Sequence, residues 1–195
     1  MSNAIENIEL RFWEGLRKGN ADSFEWIYNR YFKLLYNYGR KISADEKSLE
    51  DGIHDLFVDL WRFHKNLGQT SSVRFYLYRA LRRRLVRNDN HLKRALSRPD
   101  TMPDYLQPYV ACEEQFIIEK EIQLSRVSHL KKLLGDLSPR QYEAMILRFY
   151  DELSFEEIGG ILNVNEQSAR NLVQRGLSQL KNFSKFLLSC WPFFS

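Results

Sequence analysis

Side chains that can hydrogen-bond to the bases and phosphates of DNA are concentrated between positions 166 and 175 of this chain. They are Gln167, Ser168, Arg170, Asn171, Gln174 and Arg175. Amide, hydroxyl and guanidinium groups of this kind bind base edges in the major groove, and arginine also binds phosphate. The chemistry predicted for this segment is therefore recognition of double-stranded DNA.

A helix-turn-helix is predicted to position these side chains. Ser154 and Glu157 form a Ser-x-x-Glu capping box, which starts a first helix. The residues from Asn163 to Asn165 interrupt the apolar periodicity, and Asn165 is a suitable N-cap for a second helix, 166–181. The apolar residues at helical spacing are Phe155, Ile158, Ile161 and Leu162 in the first helix and Ala169, Leu172 or Val173, Gly176, Leu177 and Leu180 in the second. Two helices and a tight turn also occur in all-α proteins that bind no DNA, so that alternative stays open at this point.

A second candidate for nucleic-acid chemistry is segment 73–88, VRFYLYRALRRRLVRN. Its aromatic rings can stack on unpaired bases while its arginines follow the backbone, which is how proteins hold single strands. The alternative is that its apolar residues enter the core and the arginines only solvate an exposed helix. Those apolar residues are Phe75, Leu77, Leu81 and Leu85. Since five arginines fall within residues 79–87 with no acid nearby, we expect an anionic partner.

An acidic stripe is predicted on the preceding helix, which Ser48 is expected to cap. Asp51, Asp55 and Asp59 lie at i, i+4 and i+8, and Arg62 follows at i+11, opposite the apolar face. Three aspartates on one stripe repel one another, so the stripe either faces water or meets a basic protein surface. The spacing alone favours the solvated face.

The composition favours an all-α protein of two small helical domains joined by a flexible linker. Only 9 Gly and 5 Pro occur in 195 residues, and no stretch alternates apolar and polar residues long enough to indicate a strand. Three of the five prolines lie between positions 96 and 109. This places a linker at 96–127, between domains 1–95 and 128–188.

Helix signals occur in both predicted domains. Four helices are expected in the first, over about 8–18, 22–41, 48–64 and 73–88, with a polar loop at 66–72. In the second, Ser138, Pro139 and Gln141 give a further helix start. The expected apolar face of that helix is Tyr142, Met145, Ile146 and Phe149.

Charge is distributed unevenly along the chain, although the net charge is only +4 and the pI is about 9.0. Residues 73–98 carry nine cations against one acid, and residues 103–123 carry five acids against one cation. Such polarity is expected where only parts of a surface meet polyanions.

No motif indicates an enzyme, a metal site or a cofactor. The chain has no Gly-rich phosphate loop, no His-Glu-x-x-His and no Gly-x-Ser-x-Gly. Cys112 and Cys190 cannot build a disulfide framework, and the four histidines show no metal-ligand spacing. With no signal peptide and a C-terminal apolar run, 186–194, too short to span a bilayer, we expect a cytoplasmic protein without catalytic residues, metal, cofactor or membrane insertion.

With these parts in this order, residues 22–181 resemble bacterial sigma factors of the small, extracytoplasmic-function (ECF) type within the sigma-70 family. The resemblance to sigma region 2 lies in FEWIYNRYFKLLYNYGRKI, EDGIHDLFVDLWRF and VRFYLYRALRRRLVRN. The resemblance to region 4 lies in LSPRQYEAMILRFYDELSFEEIGGILNVNEQSARNLVQRGLSQLK. Each motif is weak by itself, and their order and spacing together are specific.

This resemblance implies three partners: core RNA polymerase, through its β′ coiled coil and β flap; promoter DNA; and an anti-sigma factor. It assigns polymerase binding to Asp51, Asp55, Asp59 and Trp61, which reverses the preference for a solvated stripe. It assigns single-stranded minus-ten DNA to Asn66, Gln69, Arg74, Tyr76, Arg79, Arg82 and Arg83. It assigns the minus-thirty-five duplex to Gln167, Ser168, Arg170, Asn171 and Gln174, with Arg175 on phosphate.

Three positions depart from the family pattern. Leu172 stands where a basic residue is usual, so one phosphate contact is expected to be missing or moved. Arg83 stands where asparagine is common, and Asn163 where glycine is common, which asparagine can replace at positive φ. Two other functions are consistent with parts of the sequence: a helix-turn-helix regulator that never engages polymerase, and a module whose basic block binds RNA or an acidic protein.

Overall fold

The computed structural model of the protein describes residues 2–43, 45–88 and 134–190, and these form helices joined by short turns. The helices are α1 (Ser2–Arg17), α2 (Ala21–Ile42), α3 (Glu46–Arg62), a 3₁₀ turn (His64–Asn66), α4 (Val73–Asn88), α5 (Pro139–Phe149), α6 (Phe155–Leu162) and α7 (Glu166–Cys190). The all-α prediction is confirmed. The chain divides into unit 1, Met1–Lys93, and unit 2, Arg94–Ser195. The predicted linker, 96–127, lies outside the described residues.

Each of the four helices of unit 1 buries large aromatic or aliphatic side chains. Its fully buried side chains include Trp13, Leu16, Ile27, Tyr31, Leu35, Tyr38, Leu49, Ile53, Leu77, Tyr78 and Leu81. Burial of each such leucine or isoleucine contributes about 1.5–3 kcal/mol relative to exposure. The four helices are therefore held by one shared core.

The N-cap of α3 is Asp45, so the prediction of Ser48 as the cap was wrong. The Asp45 carboxylate accepts hydrogen bonds from the backbone N–H of Lys47 (3.1 Å) and Ser48 (3.3 Å). The Ser48 hydroxyl donates to the same carboxylate instead of capping the helix itself. Hydrogen bonds from Ser48 lower the pKa of Asp45, which keeps the charge at the positive end of the helix dipole.

Both capping boxes predicted in unit 2 are confirmed. Ser138 and Gln141 bond reciprocally at the start of α5, and Ser154 and Glu157 do so at the start of α6. Two residues predicted to pack inward do not. Phe149 is 58% exposed and Leu177 is 43% exposed. The buried residues on the same two helices include Ala144, Leu147, Val173 and Gly176.

The turn between α6 and α7 is closed by a left-handed residue and a close backbone approach. Asn163 has φ 57° and ψ 50°, which confirms its predicted positive φ. The backbone N–H of Val164 then donates to the Gly159 carbonyl at 2.9 Å. A Cβ at Gly159 would lie only 2.9 Å from the Val164 carbonyl oxygen, so only glycine allows this approach.

In the described part of the chain, no helix is long and apolar enough to cross a membrane. No three His, Cys, Asp or Glu side chains cluster there in a way that would hold a metal ion.

Gly159→Ala is expected to lower the free energy of unfolding of unit 2 by up to about 2 kcal/mol, because its methyl group meets backbone that cannot rotate away. The steric cost of about 1–3 kcal/mol is partly offset by the ~1 kcal/mol that alanine gains in helix propensity. Chemical denaturation of the full chain measures it. Gly135→Ala is the matched control, because a Cβ there meets nothing within 4 Å. Equal stability of the two variants would contradict the role given to Gly159.

Candidate nucleic-acid interface

Helix α7 presents the predicted base-reading residues away from the core. Asn165 caps it, accepting the backbone N–H of Ser168 at 2.7 Å, and Ala169 and Val173 face inward, almost fully buried. Gln167, Gln174 and Arg175 are exposed, while Ser168, Arg170 and Asn171 are partly buried. Because positions 167, 170, 171 and 174 recur every three or four residues, they share one stripe of the helix.

Hydrogen bonds between neighbouring side chains of α7 orient the residues of this stripe. The Gln167 Nε2 group donates to Asn171 Oδ1 at 3.1 Å, and the Arg170 guanidinium donates to Glu166 Oε1 at 2.8 Å. Such i, i+4 pairs contribute only a few tenths of a kcal/mol. These pairs instead orient the amide and guanidinium donors along one face of α7. The major groove of DNA is wide enough to admit such a helix.

The Phe155 ring lies under two arginines. The Arg170 guanidinium carbon is 4.5 Å from the ring centroid and that of Arg148 is 4.8 Å away. Arg148 also donates to the Leu153 carbonyl at 2.9 Å. Both cations are within cation–π range, so α5, α6 and α7 meet at this ring. The sequence predicts Phe155 only as part of the apolar face, and its spacing from Arg148 and Arg170 gives no local signal of this contact.

An open polar groove of about 570 Å³ continues the α7 stripe toward α5. Its lining residues are Gln141, Asn171, Gln174, Arg175, Ser178 and Gln179. The groove reaches Gln141 in the first turn of α5, the end of that helix at which its dipole favours anions. Together with the Arg175 cation, this combination suits a phosphate backbone running beside α7.

In unit 1, the arginines of α4 are not equally available to a ligand. Arg83 and Arg87 are exposed, and Arg79 is partly buried over the Phe75 ring, 5.8 Å from its centroid. Arg82 is only 9% exposed. The expectation that no acid lies near this arginine cluster was wrong, because an aspartate of α3 lies beside one of its members. Arg84 forms an ion pair with Asp59 of α3.

Arg74 lies against an inner cluster of tyrosines. Its guanidinium carbon is 5.8 Å from the centroid of Tyr78, and Tyr78 is fully buried beside Tyr38, with the two ring centroids 4.8 Å apart. Burial raises the pKa of the neighbouring Tyr31 phenol, while Arg74 acts in the opposite direction. Arg74 therefore borders the core, unlike Arg83.

The 66–72 loop and the start of α4 form the exposed edge of this unit. Asn66 and Gln69 are exposed, and Tyr76 is partly buried. The Ser72 hydroxyl accepts the backbone N–H of Phe75 at 3.1 Å and so caps α4. The structure therefore brings amide side chains, an aromatic ring and, two turns on, Arg83 to one edge.

The predicted polymerase-binding residues on α3 differ in exposure. Asp51 and Asp55 are exposed, Asp59 is paired with Arg84, and Trp61 is 40% exposed with its ring centroid 5.3 Å from that of Phe24. Beside them runs an aromatic band that the sequence analysis did not assign to a site. Its exposed aromatic members, besides Trp61, are Tyr28 and Phe32, and the exposed side chain of Val58 lies on α3. The i, i+4 spacing of aromatic residues along α2 is the signal that could have revealed it.

Comparison with known proteins gives a consistent result for both units. A model of sigma-70 region 2 matches residues 27–96, and a model of sigma-70 region 4 matches residues 129–180. The chain is 22% identical over 164 residues to the ECF RNA polymerase sigma factor SigK of Mycobacterium sp. strain KMS, covering 84% of this chain and 83% of that protein. It is 25% identical over 168 residues to the RNA polymerase sigma factor YlaC of Bacillus subtilis strain 168, covering 83% and 92%. Among solved structures, the fold is similar to that of CnrH in complex with the cytosolic domain of CnrY, with a TM-score of 0.61 and 17% identity over 91% of this chain and 97% of that one.

A double-mutant cycle is expected to show that Phe155 and Arg170 are coupled. With Phe155→Leu and Arg170→Met, we expect an interaction of about 0.5–1 kcal/mol in the free energy of unfolding, the range for a partly exposed cation–π contact. Phe155→Leu combined with Arg175→Met is the control, because Arg175 lies more than a turn further along α7. A coupling no larger than the control's would contradict the contact.

Proposed function

Because this chain belongs to the sigma-70 family, as an ECF-type sigma factor that directs transcription initiation, we propose that its two units recognise promoter DNA in two different forms. Such a factor implies core RNA polymerase and promoter DNA as partners. Unit 2 binds the minus-thirty-five element as duplex, and unit 1 holds the minus-ten element as single strand. The observation that carries this proposal is the α7 stripe, which presents ordered amide and guanidinium donors after a helix-turn-helix turn within the segment that region 4 matches.

In unit 2, we assign base recognition to the α7 stripe and phosphate binding to its flank. Gln167, Arg170 and Asn171 have the donor geometry that reads purines in the major groove. Ser168 and Gln174 lie beside them, and Arg175 lines the polar groove toward α5. Leu172 is partly buried and has no polar group, which supports the expectation that the phosphate contact usual at this position is missing or moved.

In unit 1, we assign the minus-ten strand to the exposed edge made by the 66–72 loop and α4. Asn66 and Gln69 can hydrogen-bond an extruded base, Tyr76 can stack on its neighbour, and Arg83 follows the backbone. Arg79 supports this face through its ring contact with Phe75. Arg82 and Arg74 are more enclosed, and we assign them to support of the helix rather than to bases.

Polymerase binding is assigned to the outward face of α3, with Asp51, Asp55 and Trp61 toward the β′ coiled coil and unit 2 toward the β flap. Asp59 forms an ion pair with Arg84 of α4, so we assign Asp59 a structural role. CnrH, whose fold is similar, was solved with the cytosolic domain of CnrY bound. By analogy we propose that an anti-sigma factor covers the DNA-binding surfaces of this chain. Polymerase supplies the chemistry in the cytoplasm, and this chain carries no catalytic residues of its own.

Combined replacement Tyr76→Ala and Arg83→Ala is expected to abolish promoter opening by the holoenzyme. Loss of one base–aromatic stack is worth about 1–3 kcal/mol, and the lost cation adds to it. Permanganate reactivity of unpaired thymines measures opening, and a duplex minus-thirty-five probe is expected to bind with unchanged affinity. Lys47→Ala is the control, since it removes a charge at the opposite end of α3 from the loop. Normal opening by the double variant would show that α4 does not hold the strand.

Arg170→Ala is expected to weaken holoenzyme binding to the duplex minus-thirty-five element by about 1–3 kcal/mol and to relax specificity at one base pair. Arg175→Ala is expected to weaken binding equally for all sequences and to reduce the slope of log K against log salt by about 1. Binding titrations on a set of single-base variants distinguish these outcomes. A uniform loss with Arg170→Ala would move it to the phosphate-binding group.

A further inference from the structure

We propose that α1 is part of the minus-ten recognition apparatus, with Trp13 and Arg17 as positioning residues for the 66–72 loop. The Trp13 indole N–H donates to the Gly68 carbonyl at 3.0 Å, and Arg17 Nε donates to the Leu67 carbonyl at 2.7 Å. These bonds join positions 55 and 50 residues apart. The inference rests on the proposed assignment of this loop to single-stranded DNA.

One side chain of α1 contacts both parts of the exposed edge. Trp13 is fully buried, and its ring centroid lies 4.9 Å from that of Tyr76, at an interplanar angle of 58°. The same residue therefore holds the backbone of the loop and packs against the ring assigned to base stacking. Any displacement of Trp13 would move both.

The two hydrogen bonds determine which way the loop faces. A buried indole N–H needs an acceptor, and with the Leu67 and Gly68 carbonyls turned toward α1, the exposed side of the loop is left to Asn66 and Gln69. The far end of the loop is closed by its own side chains: Thr70 Oγ1 donates to the Ser72 carbonyl at 3.0 Å and accepts the Ser72 backbone N–H at 3.2 Å. Gln69 thus sits between two fixed ends.

A loop held in this way is ordered before DNA arrives. Ordering a flexible loop on binding would subtract from affinity for every base, whereas an already ordered loop can distinguish one base from another. Trp13 and Arg17 of α1 precede residue 27, where the region 2 match begins. The specificity of this edge therefore depends on residues outside that matched segment.

The test uses two variants that remove one loop bond each. Trp13→Phe keeps an aromatic ring in the core but removes the N–H donor, and Arg17→Met keeps side-chain length but removes the Nε donor. Trp26→Phe is the matched control for the first, because Trp26 stacks on Phe12 of α1, 4.3 Å between centroids, away from the loop. Glu14→Gln is the control for the second, because it removes only the ion pair of Arg17 with Glu14.

Each variant is assembled with core polymerase, and opening is measured on promoters carrying each of the four bases at the extruded minus-ten position. We expect Trp13→Phe and Arg17→Met to slow opening roughly 3- to 10-fold and to reduce the ratio between preferred and disfavoured bases by a similar factor, the equivalent of one hydrogen bond. The controls are expected to keep the wild-type ratio. A merely structural role would lower thermal stability without changing that ratio.

A wild-type ratio in both loop variants would overturn the inference. If Trp13→Phe unfolds, Arg17→Met decides the result, because its side chain is partly exposed at the surface. The double replacement Gln69→Ala and Tyr76→Ala tests the assignment of the loop to single-stranded DNA separately from the role of α1. If that pair loses opening while Trp13→Phe and Arg17→Met retain full selectivity, only the role of α1 is wrong; if it also opens normally, the assignment of the loop to single strand fails.

Discussion

The close approach of the Gly159 backbone to the Val164 carbonyl is the constraint on which the architecture of unit 2 depends. It fixes where α7 leaves the turn, and hence which side of α7 faces the core. With Ala169 and Val173 inward, every polar residue of the stripe must face outward. A single missing Cβ therefore determines the accessibility of the six polar side chains that we propose to contact DNA. In unit 1, hydrogen bonds from Trp13 and Arg17 of α1 fix the orientation of the 66–72 loop instead.

Both units concentrate arginines, and both restrain them with rings and acids. In unit 2 the guanidinium groups of Arg148 and Arg170 lie over the Phe155 ring. In unit 1 Phe75 and Tyr78 lie under Arg79 and Arg74. Guanidinium groups stack on aromatic faces at little desolvation cost, so like charges can be packed closely without a bound polyanion. The same contacts reduce the number of orientations that each donor must give up when DNA binds.

Local signals in the sequence were sufficient to predict most helices, both capping boxes and the left-handed Asn163. Such features depend on residues three or four positions apart, where side-chain chemistry acts on neighbouring backbone. Asp45 was missed as a cap because Asp45 and Ser48 are both good acceptors and only geometry chooses between them. The contacts of Trp13 with Gly68 and of Asp59 with Arg84 span 55 and 25 residues. No periodicity encodes such pairs, so this part of the candidate site required the structure.

The ion pair between Asp59 and Arg84 also bears on how the protein responds to its ionic surroundings. Each phosphate neutralised on a single strand contributes about 0.7 to the slope of log affinity against log salt. An arginine already paired within the protein releases no counterion from DNA. With Arg84 paired and Arg82 enclosed, α4 offers fewer available charges to a polyanion than its arginine content indicates. Binding of the proposed minus-ten strand through α4 should then depend less steeply on salt concentration than a count of its arginines would indicate.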